Sequence, residues 1–448
     1  MPAGSEPLID REAALGRASR HSEPTYPEPI REEFFDWSRR LGFDLNELSQ
    51  GHELSRYFTI ATLEEGRTMV SHATAEQRRA RQRTFFHGPI AARRKLGQGL
   101  HDMGESVIFA DTTFATGNEL TGLNNHLPGH VKATAVLEKR VPSGAVWDVT
   151  VRAAHWGLDD LEELYSVLNV GRLILEPGAA LVIQGNVFTF LCQHLIAAEG
   201  SQIRILPTPF SVDFGHGPLH GVHGANGRDG SHGADGLRPD VESCILGYRL
   251  RQPIDQDALN GLPGEAGCHA ESGASGRNGG MAKLAEITIR KLSGHLTVFS
   301  QAGAGGDGGN GGHGGRGGNG GAGGPGYRTM SGIIRAGCGG SAGAGGNGGN
   351  GGHGGNGGLS SNIYVNVPAD DVSKIDRVSL PSAGGAAGAP GRGGQAGSPG
   401  PVHTGEHDYE NGAPGLIASA GRDGRPGTKG RSRPAPVIFL NEQSEQPL

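Results

Sequence analysis

Apolar positions change their period along this chain. In residues 28–49, Ile30, Phe34, Trp37, Leu41 and Phe43 recur at mixed helical spacing, with acids early and Arg39 and Arg40 late, as the helix dipole favours. The spacing predicts a short amphipathic helix. Residues 1–26 carry no such periodicity and are expected to be a disordered arm. From about residue 105 the pattern shortens to strand-like runs separated by glycine and proline. Within it, Leu173, Ile174, Gly178, Leu181 and Ile183 return 22 positions later as Leu195, Ile196, Gly200, Ile203 and Ile205. Gly144, Trp147 and Val149 repeat part of the motif upstream. Short strands that turn at glycine and return at a fixed interval predict β-solenoid rungs, each burying an apolar row on its neighbour. An antiparallel sandwich with a coincidental repeat is the alternative. Between the rungs, GLDDLEELYSVL reads as a helical turn or loop excursion.

The third pattern is a period of three in glycine. Of the 81 glycines in 448 residues, 63 fall in residues 215–430. They form six tracts: Gly221 to Gly236, Gly261 to Gly279 with Ala270 substituting once, Gly303 to Gly326, Gly337 to Gly358, Gly385 to Gly400, and Gly412 to Gly430 with Ala418 substituting once. Strand-like pieces, ESCILGYRL, AEITIRKLSGHLTVF, YRTMSGIIRA, NIYVNV and PVIFL, separate or follow them. A three-residue turn with about 3.1 Å rise per residue is the extended left-handed helix, which makes no internal hydrogen bonds. Its N–H and C=O groups must be paired if buried, and neighbouring helices can reach them only where no Cβ intervenes. Tracts three and four are Gly-Gly-x, with two bare faces, and are expected inside a bundle. The other four are mainly Gly-x-x and are expected at its periphery. Collagen also needs glycine every third residue, but these runs are short, interrupted, and in tracts three and four almost free of proline. A flexible linker is the other alternative, weakened by the strict phase and by the regular interleaving of strand-like pieces.

These Gly-Gly-x tracts resemble the polyglycine-II bundles of distal tail-fibre adhesins of contractile-tailed phages, and are similar to the glycine-rich antifreeze protein of snow fleas. The resemblance covers residues 215–430. It implies a bundle of hydrogen-bonded glycine helices; in the adhesins recognition lies in variable loops at the bundle tip, whereas here the connectors read as strands.

The expected organisation is therefore a disordered arm (1–26), a helical docking region with a basic segment (27–104), a β-solenoid-like domain (105–214), a six-helix polyglycine-II bundle with interleaved strands (215–432), and a terminal strand and tail (433–448). The fold class is mainly β with polyglycine-II helices and a short α-helical N-terminal region.

Composition narrows the functional classes. Lys+Arg 40 against Asp+Glu 46 gives a net charge of −6, so no overall basic field favours nucleic acid. No stretch approaches the roughly 20 apolar residues of a membrane span. The N-terminus lacks a basic segment followed by an apolar run, so a Sec route is not expected. The expected location is an extracellular surface or a particle reached without Sec, with the cytoplasm as alternative. Residues 75–96 hold Arg78, Arg79, Arg81, Arg83, Arg93, Arg94 and Lys95 around Phe85 and Phe86. They read either as a segment docked on an acidic neighbour or as a contact for phosphate or a partner subunit. Phe34, Trp37, Arg78, Arg79, Arg81, Arg83, Phe85 and Phe86 are the candidate docking residues.

Every third tract position forms a stripe. His220, His223, Asn226, Asp229, His232 and Asp235 line the first tract. Asp307, Asn310, His313, Arg316 and Asn319 line the third, and Asn347, Asn350, His353 and Asn356 the fourth. Polar rows about 9 Å apart would suit a repetitive ligand such as a glycan; the competing reading is a merely soluble face. His216, His220 and His223 stand too far apart on one stiff tract to share a metal ion, and neither metal nor cofactor is expected. Cys268 and Cys338 could bridge adjacent tracts. The sequence has no nucleophile elbow, phosphate loop or HExxH motif, and its GxGxxG matches are by-products of glycine periodicity. These readings favour a non-enzymatic elongated binding or structural protein: a surface adhesin or a decorating subunit of a particle. The alternatives are an intracellular scaffold subunit and a polysaccharide-active solenoid enzyme using Asp148, His155, Asp159 and Asp160.

Overall fold

The computed structural model describes residues 28–85, 108–109, 128–152, 164–208, 219–245, 247–404 and 410–443. The described chain is mainly β, preceded by a short helical portion: α1 (Glu28–Arg40), α2 (Leu45–Ser49), α3 (Leu63–Val70) and α4 (Ala75–Phe85), with strand β1 (Leu54–Ile60) between α2 and α3.

Two sheets form the body. Strands β2 (Gly129–Val141), β4 (Leu164–Leu175), β6 (Val187–Ala197), β10 (Ala285–Ile289), β15 (Ile363–Asn366) and β17 (Ile438–Leu440) run parallel in the larger one. β1 closes one edge antiparallel to β2, and β11 (Leu292–Gly294) also pairs with β6. The second sheet orders β16 (Ile375–Leu380), β12 (Leu296–Gln301), β7 (Gln202–Leu206), β5 (Ala180–Gln184) and β3 (Val146–Asp148), again parallel. The chain passes from the larger sheet to the smaller by a short turn and then returns. The 22-residue interval of the sequence is the pairing register: Leu173 lies opposite Leu195 and Leu181 opposite Ile203. Gly178 (φ 71°) and Gly200 (φ 72°) make the turns in left-handed backbone that a side chain would strain. The turns also stack, with Gly178 N–H donating to the Glu199 carbonyl at 2.9 Å.

Leu168, Leu173, Phe190, Leu195, Ile287 and Val365 from the larger sheet pack with Leu181, Ile203 and Val298 from the smaller in one continuous core, the alternation slipping once between Val170 and Leu173 and between Cys192 and Leu195. Each such side chain contributes about 1.5–3 kcal/mol on burial. The opposite face of the larger sheet carries the helical portion. Phe34, Trp37, Leu41 and Leu48 pack there on Val131, Val167, Tyr364 and Phe439.

One reading is corrected. GLDDLEELYSVL was expected to be a helical turn or loop, but Leu164–Leu168 belong to β4; residues 157–163 lie outside the described residues. Leu161, Leu164, Tyr165 and Leu168 do carry helical spacing, yet pairing of β4 to both β2 and β6 overrides it. The expected disordered arm (1–26) lies outside the described residues.

After β7, after β12 and after β16 the chain leaves the sheets along one glycine tract and returns along the next. The first excursion ends in the hairpin β8 (Val241–Cys244) and β9 (Gly247–Leu250), the second in β13 (Tyr327–Thr329) and β14 (Gly332–Ile334). These hairpins join in a four-stranded sheet ordered β14-β13-β9-β8.

The tracts are neither α nor β, and they bond to one another. Tract one donates to tract three (Gly221 N–H to Asp307 O, 2.8 Å) and tract three to tract five (Gly308 to Ala386, 2.9 Å). Tract two donates to tract four (Gly261 to Cys338, 2.9 Å) and tract four to tract six (Gly339 to Ala413, 2.9 Å). Each excursion's outgoing and returning tracts are cross-linked as well, as in Leu262 N–H to Ala234 O at 2.8 Å. Tract three thus bonds to tracts one, two, four and five, and tract four to two, three, five and six. That explains the double glycine. A Cβ on Gly311 would stand 2.1 Å from the Gly349 oxygen, and one on Gly312 2.0 Å from the Ala225 oxygen.

Candidate functional site

The polar stripes do not face an open ligand surface with their acceptors free. His220 and His223 accept at Nδ1 from the backbone N–H of Asp307 (3.1 Å) and Asn310 (2.8 Å). Asn226 and Asp229 accept at Oδ1 from His313 (2.7 Å) and Arg316 (2.6 Å). His232 accepts from Asn319 at 2.8 Å and Asp235 from Ala322 at 2.7 Å. The next tract repeats the device: Asp307, Asn310, His313 and Asn319 accept from Ala386, Ala389, Arg392 and Ser398. Asn347, Asn350, His353 and Asn356 accept from Arg422, Arg425, Thr428 and Arg431. The glycine N–H groups reach a neighbouring carbonyl directly, whereas the third residue's N–H needs an acceptor carried on a short side chain. Asn, Asp, His and Ser place one at the required reach. Arg316 has no acceptor to offer.

The docking residues are also reassigned. Phe34 and Trp37 are buried in the apolar layer between α1 and the larger sheet, so they hold this chain's own parts together. Asn169, on β4, fixes α1 by donating to the Phe34 carbonyl and to Ser38 Oγ, both at 2.9 Å. Arg81 points inward from α4. Its Nη1 meets Glu286 at 3.0 Å with both side chains fully buried, its Nε meets Glu442 at 2.9 Å, and its guanidinium lies 4.4 Å from the Tyr364 ring centroid. Glu286 also accepts from Ser71 Oγ at 2.9 Å. Burial alone would lower the Arg81 guanidinium; Glu286 and Glu442 outweigh it and hold it above its ordinary value. Burial raises the Glu442 carboxyl against the pull of Arg81. The basic segment therefore docks, at Arg81, on acids of its own sheet. Arg78 donates to the Ala73 carbonyl, and Arg79 is exposed. Arg83 and Phe85 lie in the last turn of α4, with side chains outside the described set; Phe86 lies outside the described residues.

The disulfide expectation is overturned by register. Cys338 lies beside Asn260 and Gly261, whereas Cys268 lies alongside Ala344 and Gly346. The offset of about seven residues spans about 22 Å at 3.1 Å per residue, far beyond a disulfide's Cα reach of about 7 Å. Both thiols are free and exposed. Cys192 is buried in the core, which pushes its thiol up to about 12. Of the acidic group considered for catalysis, Asp148 is engaged locally, accepting from the Thr150 N–H at 2.9 Å. His155, Asp159 and Asp160 lie outside the described residues, as does His216. Among the described residues no group of three His, Cys, Asp or Glu could hold a metal ion, and no helix is long and apolar enough to cross a membrane.

A surface not singled out by sequence is the four-stranded sheet at the tract turns. Ile245 (104% exposed), Met330 (62%), Ile333 (58%) and Tyr248 (43%) stand in solvent on its two hairpins. Tyr248 and Tyr327, one from each hairpin, pack edge to face at 5.3 Å. The signal lies in the strand-like pieces ESCILGYRL and YRTMSGIIRA, which separate the tracts.

No family model, curated protein or solved structure matches this chain.

Proposed function

We propose that this protein is a non-enzymatic display and assembly element: a β-solenoid base carrying a six-tract polyglycine-II bundle whose far turns present a binding surface. The observation that supports it most is the placement of the tract pairs. Each pair is inserted between successive rungs, and its backbone is bonded into the neighbouring pairs, which stiffens the connection from base to tip. The apolar hairpins then stand at the end of a support roughly 70 Å long, from 24 residues of tract three at about 3.1 Å each. Exposed apolar groups so placed suit recognition of another protein surface. A decorating subunit of a particle, or an adhesin held at a surface, uses such an arrangement.

The test compares wild type with the triple variant Ile245→Ser, Met330→Ser, Ile333→Ser, by size exclusion with light scattering and mass spectrometry of material from the native source. The reading predicts a multi-protein particle that contains wild type and excludes a folded triple variant. Equal incorporation of both proteins, or a lone chain that depolymerises a polysaccharide, would sink it.

A further inference from the structure

The outer face of the larger sheet is not fully covered by the helical portion. Beyond Arg81, between α4 and the turn that follows β17, a cavity of about 550 Å³ opens. That volume falls in the range of small-molecule sites, roughly 300–1,000 Å³.

Its floor is set by strand register, which places Thr288 of β10 beside Asn366 of β15. Asn366 is 6% exposed, lines the cavity, and has neither Nδ2 nor Oδ1 in a hydrogen bond. A buried polar group left unmatched costs about 1–3 kcal/mol, so an amide with both ends open here is matched by whatever enters.

The far wall is Asn441 (φ 48°) and Glu442 (φ 65°), the non-glycine residues in left-handed backbone among those described. Their conformation is held from several sides. Asn441 bonds both the N–H and the carbonyl of Val367 at 2.9 Å, Glu442 is clamped by Arg81, and Leu440 and Gln443 exchange backbone bonds at 2.9 Å. Strain persists where the surroundings over-determine it, and it gathers at ligand clamps. The rim carries Glu76 from α4 and Arg290, whose guanidinium is engaged by Glu33 at 2.9 Å.

These groups define the ligand. The cation at the rim already has its carboxylate, which disfavours an anion. The amide offers two N–H donors and a carbonyl acceptor, and Glu76 offers acceptors, so the matching groups are hydroxyls, which both donate and accept. Pro368 adds an apolar edge suited to a C–H face. We propose that this cavity binds one pyranose unit of a saccharide, with Asn366 spanning two adjacent hydroxyls. The proposal relocates saccharide recognition from the tract stripes to the base and does not rest on the tip surface.

The experiment is saturation-transfer NMR followed by titration calorimetry on the full chain. The probes are D-glucose, D-galactose, D-mannose and N-acetyl-D-glucosamine, and the linear hexasaccharides of each. Binding of a monosaccharide identifies a free sugar as sufficient; binding of a hexasaccharide alone identifies a chain terminus. In either case Asn366→Leu weakens binding at least about tenfold while unfolding no earlier than wild type, because it removes two unmatched polar atoms. Glu76→Gln, at the exposed rim, weakens it less and serves as the second variant. If none of the probes binds, or if Asn366→Leu binds as wild type does, the cavity holds only water or another part of the chain, and the proposal is wrong.

Discussion

Gly349→Ala places one methyl group where the tract packing is densest. The new Cβ would stand 1.8 Å from the Glu271 oxygen, 2.5 Å from its carbonyl carbon and 3.0 Å from the Ser272 nitrogen. All three are backbone atoms, so no rotamer relieves the clash and tract four must move. At stake are Gly349 N–H to Gly312 O (2.9 Å), Gly391 N–H to Gly349 O (2.9 Å) and Gly312 N–H to Glu271 O (3.0 Å). Three bonds at about 1 kcal/mol each and an overpacking cost of about 1–3 kcal/mol are offset by about 0.4–1 kcal/mol from a stiffer unfolded chain. Partial relaxation has a precedent: Ala270 occupies a glycine position of tract two and still donates to Asn347 O at 2.9 Å. Tract four has less room, because retreat from tract two closes it on tract six. With one of the three bonds retained on relaxation, the net expectation is about 2–4 kcal/mol. Trp37, Trp147 and Trp156 all precede the tracts, so fluorescence would miss a local opening. Amide exchange by mass spectrometry on peptides spanning 337–358 reads it directly, and protection should fall about 30- to 1,000-fold. A change of less than about threefold in those peptides would refute the close-packed account of the double glycines.

Other consequences follow from single contacts. His223→Leu removes the acceptor for Asn310 N–H and should cost about 0.5–1.5 kcal/mol, seen as faster exchange at residues 305–315; His223→Asn keeps an acceptor at similar reach, as Asn226 does, and should be close to neutral. Arg81→Met leaves Glu286 buried without its counter-charge and should destabilise by about 3–5 kcal/mol, measured by thermal unfolding with Trp37 fluorescence as the probe. Acid should weaken the fold through His72, whose imidazole is held well below its ordinary value by burial and by the charges of Arg290 and Arg40. The folded state keeps this ring neutral while the unfolded chain takes up a proton near pH 6.5. Its contribution is therefore fully present above about pH 6.5 and declines below it, by at most about 1.4 kcal/mol per pH unit. Urea titrations at stepped pH should show that slope in wild type and a smaller one in His72→Asn.

The parts of the fold that sequence discloses are those governed by local period. The 22-residue interval is the strand register itself, and the double-glycine tracts mark the chains bonded on four sides. The cross-tract bonds of the stripes were not legible, because a polar side chain on an exposed row looks the same whether it meets water or a neighbouring N–H. The missed signal was their narrow choice: a merely soluble face would admit Lys, Glu or Gln, whereas these rows hold Asn, Asp, His and Ser almost throughout. Arg81 could not be told from its basic neighbours, since its partners lie 205 and 361 positions away. Phe34 and Trp37 gave a correct amphipathic pattern but not what their apolar face would cover. Asn366 offered no pattern at all, because its importance comes from its register beside Thr288 and from the turn after β17.

Limited digestion with trypsin under native conditions tests the central claim most directly. Arg228 and Arg422 are exposed residues within tracts one and six, so their side chains are open to the protease while their backbone is bonded into the bundle. The account predicts that bonds after Arg228, Arg277, Arg316, Arg392 and Arg422 stay intact while the same bonds in denatured protein are cut quickly. Cleavage at these sites as fast as in the denatured control would mean that the tracts are loose linkers and that the stiff support does not exist.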